Sequence, residues 1–343
     1  MTAESSDADG GLGRKIVAEL GALTWHRVGP TSVANAKDNF EHRARGRSLA
    51  ALRRSSLGEG DSAVIVGAGP SIRRHDPARY LKDYRGTIIC TDSAIRYLLK
   101  NGIVPHLVVT VDSHATRIVR WFGDPELTEE TLRKDDYFRR QDMDDAFAAE
   151  LETNREVLAL LAEHAPKMKI ALSTSASKAV VRRVVDCGMD VYWWNPMLDD
   201  PDAPESATRE IFEMNGFPCI NGGGNVGTCC WMMATEVLEK KRVALTGMDF
   251  AYYEDTPYEA TQYYREAVDL VGKENLGSIF MRLRNPDLGA WFYTDPAYMW
   301  YRECFLQMVA ESDAKTINCT GGGIIFGDGI TTMPLEAFVA ELS

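Results

Sequence analysis

No run of eighteen or more apolar residues occurs in the 343-residue chain, so no membrane span is expected. None of the seven cysteines forms a C-x-x-C pair, and none of the six histidines pair at metal-ligand spacing, which argues against a structural zinc site. Cys90, Cys187, Cys219, Cys229, Cys230, Cys304 and Cys319 are odd in number and mostly sit in apolar surroundings. They read as small buried hydrophobes in a reducing compartment. A basic excess is also missing: 38 Lys+Arg face 50 Asp+Glu, a formal charge of -12. General nucleic-acid binding is thereby disfavoured, because phosphates would be repelled. The start, MTAESSDADGGLG, is polar and acidic and resembles neither a signal nor a transit peptide, so a cytoplasmic protein is expected. Histidine is absent after His164, which restricts the choice of a general base.

What is present is a rhythm of short apolar strands and helices. Hydrophobic residues make up 45% and charged residues 26%, enough for a full globular core. Residues 1–12 read as a disordered tail. Residues 13–60 read as a helical arm, with helical stretches at Arg14–Leu23 and Val33–Leu52. From residue 61 the pattern changes. Ala63–Val66, Thr87–Cys90 and Leu107–Val111 are continuous apolar strands separated by helical segments. Lys169–Leu172, Asp190–Trp194, Pro218–Ile220, Arg242–Leu245 and Thr316–Ile317 continue the series. Strands apolar on both sides and alternating with helices predict an α/β fold with a doubly wound, mostly parallel sheet. The sheet domain covers 61–343, and the charged, helical stretch 126–163 reads as an insertion into it. Trp193-Trp194 reads as core.

Glycine and polar residues fall after the strands, at the carboxyl edge where open parallel sheets carry their ligand sites. Gly67-Ala68-Gly69-Pro70-Ser71 follows the first strand and would let backbone N–H groups approach an anion. The third glycine of a dinucleotide fingerprint is missing, since residue 72 is Ile72. A tight strand-to-helix turn remains the alternative. Gly222-Gly223-Gly224-Asn225 precedes another helix and offers a second anion site or a structural turn; no Gly-Lys-Ser/Thr follows, so it is not a Walker A loop. Asp92-Ser93, Asp112-Ser113-His114 and Gly247-Met248-Asp249 end further strands, and Gly321-Gly322-Gly323 makes a sixth loop. A carboxylate at Asp112 or Asp249 would bind a sugar hydroxyl, hold a metal, accept a proton or brace backbone. Ser173-Thr174-Ser175 reads as an N-cap cluster. Asp142-Met143-Asp144 has a D-x-D form but stands in the charged insertion rather than after a strand.

The ordered series Gly67–Ile72, Asp92-Ser93, Gly102-Ile103-x-Pro105 and Val109–Asp112 resembles a domain shared by two groups of enzymes. These are the motility-accessory-factor (Maf) flagellin glycosyltransferases and the archaeal-type, MptE-like 6-hydroxymethylpterin diphosphokinases. Gly222–Gly227, Leu245–Phe250, Thr294 and Ile317-Asn318-x-Thr320-x-Gly322-Gly323 fit the Maf type, and the match covers roughly 60–340. The same series is similar to bacterial sialyltransferases that use CMP-sugars, through the G-x-G-P-S-[IL] loop and Gly247-Met248-Asp249-Phe250. In that group two tyrosines six apart steady the leaving phosphate, and Tyr252 and Tyr258 have that separation. The histidine base of that group has no counterpart here; Asp295, Asp249, Asp112 and His114 are the substitutes.

The resemblance implies a Rossmann-like, sialyltransferase-like glycosyltransferase. It would move a nonulosonic acid (sialic, pseudaminic or legionaminic type) from a CMP-sugar donor to a flagellin Ser/Thr or a glycan hydroxyl. The implied catalytic set is Asp249, Tyr252, Tyr258 and Asp295. The implied nucleotide-binding set is Gly67, Gly69, Pro70, Ser71, Asp92, Ser93, Asp112, Gly223, Gly224, Asn225 and Gly247. No metal is strictly needed if amides and hydroxyls neutralise the phosphate, with Mg²⁺ left open as a cofactor. In the alternative, a pyrophosphokinase acting on a hydroxymethylpterin, Asp92 and Asp112 would hold Mg²⁺. A non-catalytic nucleotide-sugar-binding partner is the third reading.

Overall fold

The computed structural model describes residues 10–114, 118–134 and 149–341. Asp142-Met143-Asp144 lies outside the described residues. The strands, in chain order, begin with β1 (Arg47–Ser48), β2 (Ser62–Val66), β3 (Thr87–Thr91) and β4 (Leu107–Thr110). Next come β5 (Lys169–Ser173), β6 (Asp190–Pro196), β7 (Cys219–Ile220), β8 (Arg242–Thr246) and β9 (Tyr252–Tyr253). The last four are β10 (Met281–Asn285), β11 (Ala290–Thr294), β12 (Lys315–Asn318) and β13 (Ile330–Thr332).

Ten of them form one sheet in the order β1-β6-β5-β4-β3-β2-β8-β12-β13, with β7 paired to β6. Every pairing in it is parallel. The fold is therefore α/β and doubly wound. Side chains alternate between its faces as the strand period requires. Val64, Val66, Ile88, Cys90 and Val108 enter one apolar core, while Ala63, Ile65, Ile89, Leu107 and Val109 enter the other. The first core is covered by the helices Ile95–Lys100, Glu150–His164 and Lys178–Asp186, and the second by Val226–Met232 and Pro296–Ala310. Trp193 and Trp194 are fully buried, one on each side.

The chain winds from β2 through β3, β4, β5 and β6 in one direction, then returns to place β8 on the other flank of β2. From β8 it continues outward to β12 and β13. The β2–β8 seam is thus the point where winding reverses, the place beyond whose carboxyl edge open α/β sheets carry their ligand crevice.

Three features depart from the sequence reading. A single helix, Gly11–Asn39, replaces the two expected stretches in the arm, with Pro30 in its interior. It begins inside the segment expected to be tail: Gly10 N–H donates to Gly277 O at 3.1 Å. The arm then continues as two short 3-10 turns around β1, which pairs with Tyr192 and Trp193 and so extends the main sheet. Second, β10, β11 and β9 build a separate antiparallel sheet in that order. Third, the cap of the helix after β5 is Ser177, whose hydroxyl accepts from Val180 N–H, rather than the Ser173–Ser175 cluster. Ser173 Oγ instead accepts from Ser175 N–H at 3.1 Å.

Candidate functional site

The loops after β2 and β8 are bound to each other. Gly67 N–H donates to Thr246 O and Gly69 N–H to Gly247 O, each at 2.8 Å. A Cβ on Gly67 would collide with Gly247 O, and one on Gly69 with the Asp249 carboxylate. Gly247 itself has φ 68°, and a side chain there would meet Gly67 O and Ile72. These glycines exist so that two turns can touch at the seam. This corrects the expectation of a free N–H cradle: two of the first loop's amides are engaged by the neighbouring turn. Pro70, which lacks an N–H, occupies the N-cap position of the five-residue helix Ser71–His75.

Asp249 completes the seam. Its Oδ1 accepts from Ser71 N–H at 3.2 Å, and its Oδ2 accepts from the Ser71 hydroxyl at 2.7 Å. The carboxylate is 2% exposed. Burial pushes its pKa up to about 7, against the opposing pull of the Ser71 bonds and the Arg74 charge. Asp249 is thus a brace of the Gly67–Ser71 loop. The next residue, Phe250, holds φ 48°, a strained left-handed conformation for an aromatic residue.

Around the seam stand the other candidate loops. Asp92 is buried; its Oδ1 accepts from Ser93 N–H and its Oδ2 from the Thr110 hydroxyl, both at 2.7 Å. The Ser93 hydroxyl lies 3.0 Å from that of Thr91. Asp112 closes a small turn by accepting from His114 N–H at 2.8 Å. Gly223 and Gly224 take positive φ, and Asn225 caps the helix Val226–Met232 by accepting from Thr228 N–H at 2.9 Å. A Cβ on Gly227 would lie 3.1 Å from Met248, which ties this glycine loop to the seam. Side chains on Gly224 would strike Trp300 and Tyr301. Among the described residues no group of three or more His, Cys, Asp or Glu gathers to hold a metal ion.

Tyr252, Tyr258 and Asp295 come together elsewhere. Tyr252 is 2% exposed; its hydroxyl donates to Asp295 Oδ2 and accepts from Gln262 N–H, both at 3.0 Å. Asp295 caps the helix Pro296–Ala310 by accepting from Tyr298 N–H at 2.9 Å. Its burial raises its pKa to about 6. Tyr258 stacks on Phe280 at 4.5 Å. The Tyr252 hydroxyl and Asp295 are therefore engaged inside the aromatic core under the antiparallel sheet, which corrects their assignment to the cleft.

The adjacent residue was missed. Strand alternation in β9 buries Tyr252 and turns Tyr253 the other way, onto Arg74, whose guanidinium carbon lies 3.8 Å from the ring centroid. Tyr253 OH lies 3.4 Å from His75 Nε2. Its pKa is pushed up to about 12 by burial, with the Asp249 charge adding to the rise. The helix Gly11–Asn39 was also missed as a neighbour of the crevice. Asn35 Nδ2 donates to Ser113 O at 2.9 Å and Ser175 O at 3.0 Å. Asn39 Nδ2 donates to Thr174 O at 2.8 Å and Ala176 O at 2.7 Å. Two asparagines one helical turn apart thus clamp the helix across the loops after β4 and β5. The i, i+4 spacing of Asn35 and Asn39 was the available signal.

Residues 33–123 match the family described as 6-hydroxymethylpterin diphosphokinase MptE-like. No curated protein sequence matches the chain. Among solved structures, the Maf glycosyltransferase from Magnetospirillum magneticum AMB-1 is similar in fold, with a TM-score of 0.51 at 17% identity. The alignment covers 86% of this chain and 39% of that one, so the chain spans about two fifths of the neighbour's length. The resemblance to the Maf and MptE-like group, read from the loop series, is borne out by both findings.

Proposed function

We propose that the protein is a glycosyltransferase that moves an acidic sugar of the nonulosonic type from a CMP-activated donor to a Ser/Thr or glycan hydroxyl. The observation that carries this reading is the seam itself. The loops after β2 and β8 are locked together by Asp249 at the point where winding reverses, with Asp92 and the Gly222–Gly227 loop beside them. A Maf glycosyltransferase shares the fold.

In this reading the nucleotide lies along the carboxyl edge, near Asp92, Ser93 and Asp112. The bond between the anomeric carbon and the phosphate oxygen breaks as the acceptor oxygen bonds to that carbon, and the acceptor hydroxyl's proton passes to the departing CMP phosphate. Charge developing on the phosphate is met by backbone N–H groups at Gly224 and the start of the helix Val226–Met232, while Gly223 N–H is held by Asn221 Oδ1. Asp249 acts by holding the first loop in place rather than by taking the acceptor proton.

A second reading, the Mg²⁺-dependent diphosphokinase, is supported by the name of the family matched over 33–123. Asp92 and Asp112 would then seat the metal, although each already accepts hydrogen bonds that fix its own loop. Thermal-shift titration with CMP, UMP and ATP, with and without Mg²⁺, separates the two. Stabilisation by CMP without metal is the expected result. Stabilisation by ATP with Mg²⁺ alone replaces the transferase reading with the kinase.

A further inference from the structure

The Gly321–Gly323 loop after β12 packs against the seam at Asp249, and three glycines in a row are needed there. A Cβ on Gly321 would come 3.1 Å from His75 Nε2, and one on Gly322 would collide with the Tyr253 hydroxyl while lying 3.1 Å from Asp249 Oδ1. One on Gly323 would run into the Asp249 backbone. The loop is bare so that an imidazole, a phenol and the seam turn can press against it. Gly321 and Gly323 hold φ 69° and 77°, and Gly323 O is fixed by Asn285 Nδ2 at 2.9 Å. This places residues that follow β2, β8 and β12, together with Tyr253 of β9, around one spot.

The side chains there are donors. Arg74 is held flat on Tyr253, and its Nη2 reaches both Asp255 oxygens at 2.5 and 2.7 Å. Both bonds use Nη2, so Nη1 and Nε carry no bond to Asp255. The N–H groups left at Nη1 and Nε offer a charge-assisted hydrogen bond to a carboxylate or phosphate oxygen. His75 is exposed and adds a ring nitrogen beside the Tyr253 hydroxyl. Asp249 beneath carries a raised pKa, so a proton there reduces repulsion of an approaching anion near neutral pH.

We propose that Arg74, His75 and Tyr253, closed by the Gly321–Gly323 loop, form an oxyanion subsite that takes a carboxylate or phosphate of the donor. The inference rests on the transferase reading, in which the donor carries both groups. It adds residues that neither the sequence nor the crevice assigned.

The test follows the histidine imidazole NMR signals of the full chain, with His75 identified by its loss in His75→Gln. Inorganic phosphate, CMP and N-acetylneuraminate are titrated separately. A saturable shift of the His75 signal is expected, weakened about tenfold or more in Arg74→Gln, the effect of losing one charge-assisted contact. A response to phosphate and CMP assigns the subsite to the phosphate; a response to N-acetylneuraminate alone assigns it to the sugar carboxylate. Silence of His75 with all three probes overturns the proposal, as does an unchanged affinity in Arg74→Gln. If that variant does not fold, Tyr253→Phe is read instead, with the same expectation of weaker binding. CMP stabilisation with a silent His75 leaves the transferase reading standing and removes the subsite. A His75 response with no stabilisation by any cytidine nucleotide keeps the oxyanion site and removes the donor reading.

Discussion

Asp249 holds Ser71 twice, through its backbone N–H at 3.2 Å and its hydroxyl at 2.7 Å, across 178 residues of sequence. This pair joins the turns after β2 and β8 where the sheet reverses its winding. A carboxylate so placed is desolvated yet bonded, and its raised pKa follows from burial outweighing the bonds.

The first prediction concerns pH. Asp249 is raised from 3.8 to about 7, so between those values the folded state holds a proton that the unfolded chain has released. Stability conferred by the neutral carboxyl is full below the unfolded pKa and falls as pH rises towards about 7, then levels. Asp295, raised to about 6, adds a fall of the same sign. Urea denaturation of Asp249→Asn should show a shallower loss between pH 4 and 7, by on the order of 2–4 kcal/mol. Parallel curves for the two proteins would sink the idea.

Much of this was legible in the sequence. Continuous apolar strands such as Ala63–Val66 and Thr87–Cys90, followed by glycine or Asp, marked a parallel sheet and its ligand edge. The mutual role of the glycines was not legible. Gly67 and Gly247 need each other's bare backbone, a relation of two turns remote in sequence. The pairing of Asp249 with Ser71 was hidden for the same reason. The antiparallel sheet left a local trace that was passed over: Met281, Leu283 and Asn285 alternate with Arg282 and Arg284 before a Pro286–Gly289 turn and the aromatic Ala290–Thr294. The six-residue spacing of Tyr252 and Tyr258 does not tell which face of the two-residue strand β9 points inward.

Gly69→Ala is expected to destabilise the fold by about 1–3 kcal/mol, because its methyl would press on the Asp249 carboxylate and Gly247 O. The double variant Gly69→Ala/Asp249→Gly should recover part of that loss. Melting temperatures of the four proteins in the cycle decide it; strictly additive losses would mean that the two residues do not meet.

Tyr252→Phe removes a donor to buried Asp295 and leaves Gln262 N–H without its hydroxyl acceptor. A cost of about 1–3 kcal/mol in stability is expected, with nucleotide affinity unchanged. Tyr258→Phe keeps the stack on Phe280 and should cost less. Urea titrations paired with CMP binding check both, and a Tyr252→Phe protein of full stability and lost binding would return this tyrosine to the crevice.

The last prediction concerns the clamp between the N-terminal helix and the sheet edge. Asn39 is 3% exposed, and its amide nitrogen serves the carbonyls of Thr174 and Ala176. Asn39→Ala removes both donors and leaves two carbonyls turned towards a low-dielectric interior, a cost of about 1–3 kcal/mol or more. Asn39→Asp keeps the shape but exchanges the donor for a negative charge facing those oxygens, so it should be worse than Ala at neutral pH. The helix runs from the 3-10 turn Lys273–Ser278, where Gly10 N–H donates to Gly277 O, to the loops after β4 and β5. Loosening one end should therefore speed amide hydrogen exchange along Ser32–Asn39 and in the Ser173–Ser177 loop together. Faster exchange in the helix alone, with the loop unchanged, would show that the asparagine holds the helix but does not order the sheet edge.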